Sequence, residues 1–205
     1  MQLHAITDNR HSWAELATKI MTIKDVVDFI HIRERSKNVN DISRLIEHLL
    51  DYGVDKRKLI INDRVDIALF HHIHQVQLPA HSFAVKTVRS HFPHLKIGKS
   101  VHSISEAVQA EKEGADYVMF GHIFATDSKK GQAGRGTDRL AEVKQAVGIP
   151  VVAIGGITDE RFPEVQVVNP EGIAVMSAIF SKDDPLEAVE RLACHLKGAP
   201  YEKTL

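Results

Sequence analysis

The most constraining feature of this chain is an alternation. Eight short apolar runs, rich in β-branched residues, are separated by longer amphipathic stretches along 205 residues. Strands are predicted at 3–7, 27–33, 58–62, 75–78, 96–100, 117–121, 150–155 and 172–177. Helical periodicity falls at 12–23, 40–52, 64–71, 83–91, 104–113, 137–147, 159–165 and 185–197. Val151-Val152-Ala153-Ile154 is apolar without a break, the pattern of a strand buried on both faces. Strands separated by helices imply right-handed crossovers and a parallel sheet. Eight such units in one chain predict a single (β/α)8 TIM barrel spanning residues 1–205. A doubly wound open sheet is the alternative, but usually has fewer units.

A barrel of this kind carries function at the C-terminal ends of its strands, and polar residues collect there. The run 118–130 is the richest. It ends an apolar strand in Gly121-His122 and continues into Thr126, Ser128 and Lys129, donors suited to an anion. Histidine titrates nearest neutral pH, so His122 is the candidate acid–base catalyst; a capping or core-edge histidine is the plainer reading. Arg33 and Arg35 follow the second strand on one side of an extended segment, placed to grip a carboxylate or phosphate. A surface ion pair with Glu34 is the alternative. Asn62 ends the third strand, with Asp63 as a possible helix cap, and Ser100 and His102 end the fifth. Gly155-Gly156 and Met176-Ser177 end the last two strands, where barrels often bind phosphate through backbone N–H groups. The glycine-rich segment 131–136 has the composition of a mobile cover for the site.

Other features exclude function classes. The formal net charge of −1 offers no field for nucleic acid or an anionic membrane. The single cysteine, Cys194, excludes an internal disulfide and fits a reducing cytoplasm. The N-terminus does not read as a signal peptide, and no apolar run reaches the roughly 18 residues of a membrane helix. His71-His72-Ile73-His74 precedes the fourth strand without carboxylate or cysteine partners and reads as a solvated turn, not a metal site. His4, His31, His91, His94 and His195 suggest no constellation.

Along nearly its whole length the chain resembles the thiamin phosphate synthase superfamily. The matching pieces are His4-Ala5-Ile6-Thr7-Asp8, His31-Ile32-Arg33-Glu34-Arg35, Asn62-Asp63-Arg64-Val65-Asp66, Ser100-Val101-His102, Gly121-His122-Ile123-Phe124-Ala125-Thr126-Asp127-Ser128-Lys129, and the segments 153–157 and 172–179. The resemblance implies a (β/α)8 barrel and, for the synthase, the joining of a pyrimidine diphosphate to a thiazole phosphate with Mg²⁺ held by two aspartates.

Several positions depart from the synthase pattern. In G-V-H-L-G-Q-x-D the second aspartate falls on Ser82; Q-x-R-x-K has become His31-x-Arg33-x-Arg35; the proline of G-P-[IV]-F has become His122. These departures resemble the TenI-type branch, whose activity is a thiazole tautomerase. That resemblance implies an isomerase without metal or other cofactor. It would aromatise a thiazole phosphate carboxylate by a proton shift at His122. Gly156 and Ser177 would hold the phosphate, Arg33 and Arg35 the carboxylate end, and Asn62, Ser100, His102, Thr126, Ser128, Lys129 and Met176 would shape the site. The synthase itself and a non-catalytic regulatory barrel binding a phosphate ligand are the alternatives. A homodimer is compatible with the sequence, and no other macromolecular partner is expected.

Overall fold

The computed structural model describes residues 1–126 and 131–198. Eight parallel strands close into a barrel in chain order: β1 Gln2–Ile6, β2 Phe29–Ile32, β3 Leu59–Asn62, β4 Gln75–Leu78, β5 Lys96–Val101, β6 Tyr117–Gly121, β7 Val151–Ile154 and β8 Gly172–Val175. Closure is made by β1 against β8, with Gln2 opposite Gly172 and Ala5 opposite Val175. The helices are α1 Trp13–Ile23, α2 Val39–Asp51, α3 Val65–Phe70, α4 Val85–His91, α5 Ile104–Lys112, α6 Gly136–Ala146, α7 Phe162–Val168, α8 Ser177–Phe180 and α9 Pro185–Lys197. The expected TIM barrel is therefore the fold.

Local chemistry sets the boundaries. Ser12 and Glu15 form a reciprocal capping box at the start of α1, and Asn38, Ser103 and Asp184 accept from the first turns of α2, α5 and α9. Asp63, expected as the cap of α3, does not cap it: the position falls to Arg64, without a side-chain cap bond. The short α8, which begins at Ser177, was not anticipated; the chain turns at Met176 instead of continuing the strand to 177.

Alternation along each strand divides the core in two. Leu3, Ala5, Ile30, Ile61, Val76, Ile97, Phe120 and Val151 pack against Leu16, Ile20, Leu45 and Leu140 on the helices. Ile6, Tyr117, Met119, Val152 and Ala174 fill the interior, with Ile154 and Met176 above them.

The same interior holds buried polar residues, which corrects the expectation that His4 and His31 stand apart. Their rings meet inside the barrel, His4 Nδ1 lying 3.0 Å from His31 Nε2. Burial, with the nearby Lys96 charge second, drives the His4 pKa down to about 3. Burial, then His4, holds His31 well below the usual imidazole range. His71 also differs from the solvated turn expected: it is buried, its Nε2 2.9 Å from Ser43 Oγ. Among the described residues no group of three His, Cys, Asp or Glu side chains is placed to hold a metal ion, and no helix is long and apolar enough to cross a membrane. Cys194 lies half-buried on α9.

Two outcomes test this core. His4 and His31 stay neutral when folded but take up protons in the unfolded chain below its pKa of 6.5. Stability therefore falls as pH drops through 6.5 toward 3, by up to about 1.4 kcal/mol per pH unit for each histidine. Thermal melts between pH 7.5 and 4.5 will show a declining Tm, and His31→Gln will flatten the decline; a slope unchanged in that variant would remove His31 as its source. Gly98 is crowded: a Cβ there would overlap the Tyr117 ring and the Gln77 carboxamide. Gly98→Ala will cost about 1–3 kcal/mol in denaturant titration.

Candidate active site

The strand ends surround one cavity of about 910 Å³. Arg33, Arg35, Asn62, Ser100, His102, His122, Thr126, Gly156, Met176 and Ser177 all line it, so ten residues singled out in the sequence share one site. Ser128 and Lys129 lie outside the described residues. Ile6, Met119, Ile154 and Ala174 make an apolar floor.

On the β2 side, Thr7 organises the rim. Its hydroxyl accepts from the Arg33 backbone N–H at 2.8 Å, starting the segment that carries both arginines. Arg33 is half-buried and reaches across β1, its Nη1 3.9 Å from Met176 Sδ. Burial, then the like charge of Arg35, lowers its pKa. Glu34 does not pair with either arginine. Its carboxylate is buried, bonded to Lys37 Nζ at 2.5 Å and to the Asn9 N–H at 3.2 Å. The two guanidinium groups are left facing the cavity.

On the β3–β5 side, Asn62 ends β3 and Asp63 turns the chain in the left-handed region at φ 69°, its N–H donating to the Gln77 carbonyl. Ser100 Oγ accepts from Gln77 Nε2 at 3.0 Å. Gln77 is a site residue missed in the sequence, although the polar–apolar alternation of Gln75-Val76-Gln77-Leu78 is the signal that points it inward. Its Oε1 is buried without a partner, as is the Tyr117 hydroxyl. His102 Nδ1 donates to the Gly121 carbonyl at 2.6 Å, which Arg135 Nε also reaches at 3.1 Å.

His122 is buried in the wall. Its Nε2 lies 2.9 Å from the Ala133 carbonyl, while Nδ1 is buried without a partner. The Nε2–H tautomer therefore satisfies the contact and leaves an Nδ1 lone pair. The glycine-rich segment expected to be a mobile cover is tied here: Arg135 N–H donates to the His122 carbonyl and Gly136 N–H to that of Ile123.

On the β7–β8 side, Gly155 and Gly156 have φ of 104° and 66°. A Cβ on Gly156 would press on the Ala125 carbonyl and Phe124, so the backbone runs bare along this wall. Thr158, Lys182, Asp183, Asp184 and Arg191 extend the cavity outward. None of these was singled out in the sequence, since they sit beyond the strand ends on helices and loops.

Comparison with known proteins bears on what this cavity does. The family model described as thiamine monophosphate synthase matches residues 3–179. The chain is 36% identical over 196 residues to the thiamine-phosphate synthase of Pyrococcus horikoshii, covering 94% of this chain and 93% of that one. It is 38% identical over 168 residues to the thiamine-phosphate synthase of Clostridium tetani, covering 80% and 79%. The solved thiamine phosphate pyrophosphorylase of Pyrococcus furiosus superposes with a TM-score of 0.82 at 30% identity, covering 96% of each chain.

These relatives overturn the expected isomerase. They are named for the synthase, a transferase, and the tautomerase reading with its proton shift at His122 is not retained. The departures at residues 31, 35, 82 and 122 are variations within the same family. With a barrel of this topology and a family match spanning 177 of its positions, counted from 3 to 179, the chain belongs to the thiamine monophosphate synthase family.

Proposed function

We propose that this chain is a transferase that joins a pyrimidine diphosphate to a thiazole phosphate and releases diphosphate. The observation that carries the reading is the similarity to proteins named thiamine-phosphate synthase over nearly the whole chain. The cavity supports it in two ways. Its volume of about 910 Å³ suits two small molecules held together. Its walls also differ, with a cationic rim at Arg33 and Arg35 and a bare backbone wall with a hydroxyl at Gly156 and Ser177.

The bond changes are a displacement. A lone pair on the thiazole forms the new bond to the carbon that carries the diphosphate, the carbon–oxygen bond breaks, and its electron pair leaves on the diphosphate. Most of the catalytic work is then positioning and charge stabilisation. Gly156 and Ser177, with Thr126 beside them, bind the thiazole phosphate. Ser128 and Lys129 are assigned to the same anion. Arg33, Arg35 and Asn62 take the diphosphate, while Ser100, braced by Gln77, and His102 orient the pyrimidine. Met176 supports Arg33 from across β1. His122 shapes the wall and anchors the Ala133 segment.

Supplying the full chain with both precursors and following the coupled product and released diphosphate by chromatography tests this reading. Product formation is expected, and its absence under every metal condition would reject the transferase assignment. Ser177→Ala removes one hydroxyl from a charged ligand and will raise KM for the thiazole phosphate by roughly tenfold or more. KM for the pyrimidine diphosphate should stay near its wild-type value. A Ser177→Ala variant with both KM values unchanged would take Ser177 out of the phosphate site.

A further inference from the structure

The rim at β3 and β4 is where the family resemblance would place Mg²⁺, and its side chains do not fit that ion. Magnesium takes hard oxygen ligands in near-octahedral order and is commonly anchored by one or two carboxylates and substrate phosphates. Asp63 supplies one carboxylate, and that group lies 3.6 Å from His81 Nε2. The position of the second carboxylate is Ser82, whose hydroxyl is buried without a partner. A neutral hydroxyl contributes a ligand but no negative charge, so half the anionic charge of the two-aspartate arrangement is missing.

Fixed positive charge is present instead. Arg33 and Arg35 face the main cavity, and Arg35 also lines an adjoining cavity of about 260 Å³ that reaches Asp63 and His81. Of the nearby carboxylates, Glu34 is ion-paired with Lys37 and Asp66 with Arg64, and Glu34 and Asp8 offset the Arg33 charge only in part, behind its burial and the like charge of Arg35. Arg33 is partly desolvated and is further opposed by Arg35. An anion between these groups relieves that repulsion, and guanidinium forks match phosphate oxygens in pairs.

We propose that Arg33 and Arg35 bind the leaving diphosphate and neutralise its charge in place of a divalent cation, so that binding at this rim does not depend on Mg²⁺. The identity of the anion rests on the transferase reading. The charge arrangement does not, and it is measurable without turnover. When the carbon–oxygen bond breaks, the electron pair passes to the diphosphate oxygen, and these fixed cations stabilise it there with no proton or further reactant.

Calorimetric titration of inorganic pyrophosphate into the full chain, once in chelator and once with Mg²⁺, is the test. Wild type is expected to bind in chelator, with a Kd within about threefold of the Mg²⁺ value. Arg35→Gln, at an exposed position, will weaken binding roughly tenfold or more. Asp63→Asn will bind as well as wild type or more tightly, since it removes a negative charge from the rim. Binding that appears only with Mg²⁺, or that Asp63→Asn abolishes, would overturn the proposal, as would no binding in either buffer or an Arg35→Gln variant equal to wild type. Pyrophosphate binding as described without coupling of the precursors would reject the transferase reading and leave this site standing. Coupling that stops in chelator would do the reverse.

Discussion

Closure of the sheet is the constraint on which the rest of this structure depends. A parallel sheet open at β1 and β8 would leave two rows of unpaired backbone groups. Pairing Gln2–Ala5 with Gly172–Val175 removes both edges. Once closed, the pleat leaves no freedom about which side chains share the interior. The strands' outward residues meet a nearly continuous apolar shell, while the inward set must fill a narrow column. In this chain the column holds His4, His31, Gln77 and Tyr117, which are costly to bury unless they bond to one another. The His4–His31 contact and the Gln77–Ser100 bond are how much of that cost is met.

Closure also joins core to site. Gln77 stands between the polar column and the cavity, bonded upward to Ser100 and lining the base of the ligand space. The floor above it is apolar at Met119 and Ile154, and charge appears only at the rim. A substrate entering this cavity meets hydrophobic contact below and fixed cations at one edge. That arrangement orients a molecule with an apolar ring and an anionic tail.

Much of this was legible because the interior and exterior of a parallel barrel leave different sequence traces. The limits of β4 and β6 coincide with those expected, since both runs end where apolar side chains stop. Ten site residues converge because each was read at the end of a strand, and a closed barrel brings all such ends to one face. Pairings across the chain were not legible. Nothing local to His4 or His31 reports that they meet, 27 residues apart, inside a barrel. Asp63 looked like a cap because aspartate before a helix usually is one. The isomerase expectation failed for a related reason. Substitutions at 31, 35, 82 and 122 report that ligands have changed, but a changed ligand set does not determine whether the bond chemistry has changed with it.

Asp63 illustrates why such residues mislead. An aspartate retained where a metal ligand is expected invites the inference of a retained metal. Here the residue also has a backbone duty that no metal need explain. It turns the chain out of β3 at φ 69°, a left-handed conformation that Asp tolerates better than most residues, and its N–H continues the ladder to Gln77. With its carboxylate beside His81 and a serine where the second acid would stand, the turn accounts for the residue better than coordination does. The charge that a divalent cation would have supplied must then come from the chain itself, and Arg33 and Arg35 are the groups in position to supply it.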